Sequence, residues 1–145
     1  MPVDLPVRPV TLLLAEDDPD DRFMVLRALQ RARAGLSVAT VSDGIELVEY
    51  LDRLTPEALP RLLILDLNMP RMDGRQVLER MRDEPRWKTV PVVVLTTSVE
   101  PEDAQRVRTL GAAGFISKPD EFGTLIRVLA RLLDEHLGLA PAAAT

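Results

Sequence analysis

Short apolar runs alternate along this chain with stretches whose apolar residues recur every three or four positions, and the alternation repeats five times. The runs Val10–Ala15, Leu36–Val41, Leu62–Asp66, Val90–Leu95 and Gly114–Ser117 have the length and composition of buried strands. A helix follows each. The first opens at Pro19, carries Val25, Ala28, Leu29 and Ala32 inward and stops at Gly35. The second follows the Ser42-Asp43-Gly44 turn, with Leu47, Tyr50, Leu51 and Leu54 on one face. The third runs from about Asp73 to Asp83, with Val77, Leu78 and Met81 inward, and Pro85 ends it. The fourth spans Pro101 to Gly111. The last runs from Glu121 to His136 with Leu125, Val128, Leu129 and Leu132 as its stripe, and Gly138 stops it.

Strands alternating with helices predict an α/β fold, a doubly wound parallel sheet of five strands covered on both faces and joined by right-handed crossovers. The expected boundaries are an irregular lead-in over residues 1–9, one domain over 10–137, and a tail over 138–145 with no output domain after it. There is no internal repeat.

Sites in such sheets form outside the carboxyl ends of the strands. The third strand, Leu63-Ile64-Leu65, stops at Asp66, and Leu67-Asn68-Met69-Pro70 breaks the chain behind it. Glu16 and Asp17 end the first strand, Thr96 the fourth and Lys118 the fifth. Taken singly, each has a bland reading: carboxylates cap helices, and a lone lysine is usually solvated. Placed together at one rim, they form a set. Three carboxylates near one point need a cation, and oxygen ligands alone select Mg²⁺. Asp17 and Asp66 are the expected direct ligands, Glu16 holds a metal-bound water, and the backbone carbonyl of Asn68 completes the protein's share. Lys118 and the Thr96 hydroxyl suit phosphate oxygens. The set matches phosphoryl transfer to the Asp66 carboxylate.

Composition narrows the alternatives. The 145 residues are 46% hydrophobic, enough for a core, and contain no cysteine, so thiol chemistry and disulfides are excluded. A net charge of −5 argues against nucleic acid and anionic membrane as partners. No signal peptide or membrane-spanning run is present, which predicts a cytoplasmic protein. No Gly-rich nucleotide loop occurs, so the phosphoryl group must come from a partner or a small activated donor.

The segments Leu14-Ala15-Glu16-Asp17-Asp18, Leu65-Asp66-Leu67-Asn68-Met69-Pro70 with Met72-Asp73-Gly74, Val94-Leu95-Thr96-Thr97-Ser98 and Gly114-Phe115-Ile116-Ser117-Lys118-Pro119 resemble the receiver domain of two-component response regulators over about residues 10–136. The resemblance implies a flavodoxin-like strand order 2-1-3-4-5. It implies Asp66 as phosphoacceptor, Glu16 and Asp17 as the acidic pair at Mg²⁺, Thr96 (with Thr97) as the switch hydroxyl, Phe115 as the switch aromatic and Lys118 as the phosphate-binding lysine. A cis peptide between Lys118 and Pro119 is also implied. Thr96 follows Asp66 by 30 residues and Lys118 follows Thr96 by 22, the intervals expected of receivers. The acidic run 16–21 and the Pro91–Ser98 segment resemble stand-alone regulators that serve phytochrome-type sensor histidine kinases. That implies a histidine kinase, a bacteriophytochrome among the candidates, as partner. It also implies output by protein contact through the face made by the fourth helix, the fifth strand and the last helix, and a homodimer through that face, with the C-terminal segment reaching across. Leu133 and Leu137 widen the stripe of the last helix, and part of it is expected in such an interface.

Two rivals stand beside this reading. A Mg²⁺-dependent phosphohydrolase would use the same aspartate, but it usually places an acid two residues later, where this chain has Asn68. The other is an interaction domain that accepts no phosphate, which the complete set of rim residues disfavours.

Overall fold

The computed structural model describes residues 10–97 and 100–138. The expected lead-in over 1–9, Ser98, and the tail beyond Gly138 lie outside these residues. The elements in order are β1 (Leu12–Ala15), α1 (Pro19–Ala32), β2 (Val38–Val41), α2 (Gly44–Asp52), β3 (Leu62–Leu65), α3 (Gly74–Arg82), β4 (Val92–Thr96), α4 (Pro101–Thr109), β5 (Gly114–Ser117) and α5 (Phe122–Leu137). Short 3₁₀ turns at Pro56–Ala58 and Pro85–Trp87 follow α2 and α3. The strands form one parallel sheet in the order β2-β1-β3-β4-β5, as expected.

The ladders are shorter than the apolar runs that announced them, because only residues with partners on the neighbouring strand pair. Pro91 has no N–H to give, so β4 begins at Val92, although the Pro91 carbonyl still accepts from the Leu63 amide at 3.0 Å. Leu36 is buried ahead of β2 rather than paired within it, and the Ser37 carbonyl accepts from both Thr11 and Leu12.

Alternate residues of each strand face opposite sides of the sheet, so the core has two layers. Leu13, Leu63, Leu65 and Val94 join Leu47 and Leu51 of α2, Val77 and Leu78 of α3 and Val107 of α4. Leu12, Leu14, Leu62, Ile64, Val93 and Leu95 meet Val25 and Leu29 of α1 and Leu125, Leu129 and Leu132 of α5. Trp87 is buried in the first layer, with the guanidinium groups of Arg80 and Arg86 5.4 and 5.3 Å from its ring. Truncating a buried leucine of either layer to Ala costs about 2–5 kcal/mol.

One expectation for α5 is corrected. Leu133 and Leu137 are buried within the chain, in the layer shared with α1, so they are not free to line a subunit interface. Arg33 closes this seam by pairing with Asp134 and donating to the Gly138 carbonyl at 2.7 Å. The helices are unequally anchored: α5 buries five residues, whereas α4 buries only Val107. An ion pair from Arg75 of α3 to Asp103, at 2.6 Å, reinforces the seating of α4.

Candidate functional site

Backbone pairing fixes the rim before any side chain is considered. The Asp66 amide donates to Ala15 at the end of β1, the Glu16 amide to Val41 at the end of β2, and the Lys118 amide to Thr96 at the end of β4, at 3.0, 3.0 and 2.8 Å. The residues that follow β1, β3, β4 and β5 are thereby held at one edge. Asp18 caps α1 by accepting from the amides of Asp20 and Asp21, which sets the direction of the acidic run.

Glu16, Asp17 and Asp66 each bring one carboxylate oxygen within 4.8 Å of the other two. Glu16 is 2% exposed, Asp66 7% and Thr96 0%. One oxygen of Asp66, Oδ1, is buried with no hydrogen-bond partner among the described residues. A buried polar atom without a partner is costly, and an oxygen-only donor set with such an atom at its centre fits a hard divalent cation. Asp17, Asp66 and Glu16 are the residues that would hold it.

Lys118 lies against the same cluster. Its ammonium donates to Glu16 Oε1 and lies 3.3 Å from Asp21 Oδ2. Burial pushes the Glu16 carboxyl up to about 7; the Lys118 hydrogen bond opposes this, and the Asp66 charge adds to it. Burial acts to lower the Lys118 ammonium, but its bond to Glu16 and the charges of Asp66, Glu16 and Asp21 outweigh it and hold it above its ordinary value. Lys118 therefore stays charged and available to an anion at the rim.

Thr96 ends β4 opposite Ser117 of β5, and Phe115 is paired with Val94 and half-buried against the first core layer. Thr97 is exposed and lines a cleft of about 210 Å³ with Asp21, Met24, Lys118 and Pro119. Asn68 sits exposed on the loop two residues after Asp66. His136 lies away from the site, at a groove of about 620 Å³ between β5 and α5. One expectation fails: the described residues contain no cis peptide bond, so Pro119 follows a trans bond. The trans form of an X–Pro bond is intrinsically favoured by about 0.5–1 kcal/mol, and sequence alone does not reveal contacts that would reverse it.

Two contributors were not foreseen. Asp21 reaches Lys118 from the first turn of α1, across 97 positions of the chain, a contact that no spacing in the sequence announces. Arg22, the next residue, donates to the Glu16 carbonyl at 3.2 Å and to Ser42 Oγ at 3.1 Å, tying the acidic turn to the end of β2.

Residues 12–130 match the response regulator receiver domain, and the chain belongs to that family. Among curated proteins it is 32% identical to the probable methanogenesis regulatory protein FilR2 of Methanothrix harundinacea, over 90% of this chain and 85% of that one. The crystal structure of the phosphorylated cyanobacterial phytochrome response regulator RcpA is 32% identical, covers 92% of this chain and 95% of its own, and superposes with a TM-score of 0.78. The Mn(2+)-bound form of response regulator Rcp1 is 29% identical, with 87% and 93% covered and a TM-score of 0.75.

Proposed function

We propose that this receiver accepts a phosphoryl group on Asp66 from a sensor histidine kinase and signals by protein contact. The observation that carries the reading is Oδ1 of Asp66, buried beside two further carboxylates and the Lys118 charge with no hydrogen-bond partner among the described residues. In the transfer, a carboxylate oxygen of Asp66 attacks phosphorus in line. The P–N bond to the kinase histidine breaks and its electron pair stays on the imidazole. The result is an aspartyl phosphate. A bound Mg²⁺ would offset charge on the phosphoryl oxygens. Asp17 and Asp66 would hold it directly, Glu16 through water, with the Asn68 carbonyl completing the protein's share. Lys118 and the Thr96 hydroxyl then turn to the new phosphoryl oxygens, with Thr97 beside them.

That movement transmits the signal. Thr96 and Phe115 lie on neighbouring strands, so a shift of one changes the space open to the other, and the α4-β5-α5 face is biased between two populations. The groove beside β5, bordered by Arg108, Arg127 and Arg131, supports protein contact at that face. The same face would join two copies, with the C-terminal segment reaching across. The kinship with a phytochrome response regulator supports a phytochrome-type kinase, a bacteriophytochrome among them, as the donor. The protein would work in the cytoplasm, and no described helix is long and apolar enough to cross a membrane. Its chemistry would be limited to its own phosphorylation and dephosphorylation, since Asn68 stands where a phosphohydrolase usually has its acid.

The test is incubation with acetyl phosphate, or binding of beryllofluoride, with and without Mg²⁺. Stoichiometric, Mg²⁺-dependent modification is expected for the wild type and none for Asp66→Asn. Undiminished modification of that variant overturns the assignment.

A further inference from the structure

We propose that Asp43 and Gly44, in the turn between β2 and α2, are positioning residues for the phosphoacceptor site, acting through the loop that runs from Asp66 to α3. The inference rests on the reading of Asp66 and its carboxylate neighbours as a cation and phosphoryl site.

The loop is gripped at both ends. At its near end the Gly74 amide donates to the Leu67 carbonyl at 3.0 Å. A Cβ on Gly74 would lie 2.6 Å from the Asp66 carbonyl oxygen and 2.8 Å from Leu67 Cα, so only glycine lets the start of α3 close on the strand end. At its far end the Gly44 amide donates to the Met72 carbonyl at 3.0 Å. A Cβ on Gly44 would meet that oxygen at 2.2 Å and Met72 Cβ at 2.6 Å. Real atoms do not approach so closely, so any other residue forces the two backbones apart.

Asp43 holds the neighbouring residue. Its Oδ1 accepts from the Glu46 amide at 2.7 Å, capping α2, and from Arg71 Nη2 at 3.2 Å, while its Oδ2 lies 3.1 Å from Arg71 Nε. This two-pronged pairing fixes the plane of a guanidinium as well as its position. Arg71 has φ +65, the only described non-glycine residue in the left-handed region. Such a conformation persists where its surroundings over-determine it, and strain of this kind gathers around functional sites. The clamp therefore acts on a segment that would relax if released, and that segment carries Asn68, Met69 and Pro70 directly behind Asp66.

A packing contact alone would stabilise the fold and leave the site's affinity unchanged once the chain is folded. Three variants separate the two roles. Gly44→Ala pushes Met72 away. Arg71→Gly removes the paired guanidinium while relieving the left-handed backbone. Asp43→Asn keeps an oxygen for the α2 cap but loses the charge. The measurements are Mg²⁺ affinity by isothermal titration of the folded protein, beryllofluoride binding at saturating Mg²⁺, and the thermal midpoint without Mg²⁺. Gly44→Ala is expected to weaken Mg²⁺ binding on the order of tenfold, the scale of losing a group that orients a metal ligand. Arg71→Gly is expected to weaken it several-fold with a thermal midpoint equal to or above that of the wild type. Asp43→Asn should fall between wild type and Gly44→Ala. Mg²⁺ affinities within about twofold of wild type in Gly44→Ala and Arg71→Gly, even with lowered midpoints, overturn the positioning role. A wild-type protein that binds neither Mg²⁺ nor beryllofluoride overturns the underlying reading instead.

Discussion

The ammonium of Lys118 donates to the carboxylate of Glu16, although the two residues are separated by 102 positions in the chain and arrive from opposite ends of the fold. Glu16 is buried and Lys118 half-buried beside it, so each is the other's compensation for leaving water. Lys118→Ala leaves three neighbouring carboxylates with no internal cation. Thermal and urea denaturation without Mg²⁺ should show a loss of about 2–3 kcal/mol, less than the full cost of an isolated buried ion because Glu16 can take a proton. Added Mg²⁺ should stabilise this variant more than it stabilises the wild type, whereas an ordinary packing defect would leave the Mg²⁺ increment unchanged.

Asp21 competes for the same lysine. It is 47% exposed, so removing its charge changes stability by no more than about 0.5 kcal/mol. Asp21→Asn withdraws one negative charge from the rim and leaves Lys118 one fewer carboxylate to hold. Both effects favour an incoming anion, so beryllofluoride at saturating Mg²⁺ should bind a few-fold more tightly. Fluorine NMR of the bound complex measures this directly, and weaker binding would show that Asp21 steers Lys118 rather than competing for it.

Acid should release the α2 clamp. The bond from the Glu46 amide, aided by Arg71, holds the Asp43 carboxyl below its ordinary value near 3.8. A carboxyl lowered on folding contributes stability that is present above its unfolded value and lost as pH falls through the folded one. The wild type should therefore lose this contribution below about pH 4, whereas Asp43→Asn, which keeps the cap but not the charge, should be slightly less stable at neutral pH, by about 0.5 kcal/mol or less, and lack that part of the acid slope. Urea titrations at a series of pH values measure both.

Leu133→Ala tests where the last helix spends its apolar face. Because Leu133 is buried against the α1 layer, the substitution should lower monomer stability by about 2–5 kcal/mol. The loss should not vary with protein concentration, and urea melts at widely separated concentrations check this. A concentration-dependent loss would return the residue to a subunit interface.

The sheet was legible because each buried parallel strand reads as an unbroken apolar run, and the rim because Asp66, Thr96 and Lys118 stand where those runs stop. Strand ends were overestimated for a physical reason: burial extends beyond pairing, as Leu36 and Val90 illustrate. The width of the α5 stripe was visible, but the helix that packs beside Leu133 and Leu137 is α1, more than 100 positions earlier, and periodicity carries no such information. Asp21 and Lys118, or Gly44 and Met72, are contacts between distant segments whose side chains or backbones are individually unremarkable. Only the fold brings them together, so neither pair could be found by spacing.

The single buried residue of α4 sets how readily that helix leaves the sheet. Lifting it withdraws one buried valine side chain, itself about 1.5–3 kcal/mol of apolar burial, together with the cover it gives the first core layer, and breaks the ion pair to Arg75. The helix can therefore open while the rest of the molecule stays folded. Its backbone amides should exchange with solvent deuterium long before those of α5, which cannot leave without uncovering a whole layer of the core. Between these two helices, the slower protons of α5 and the faster ones of α4 would then mark a firmly held side and a loosely held side of one surface.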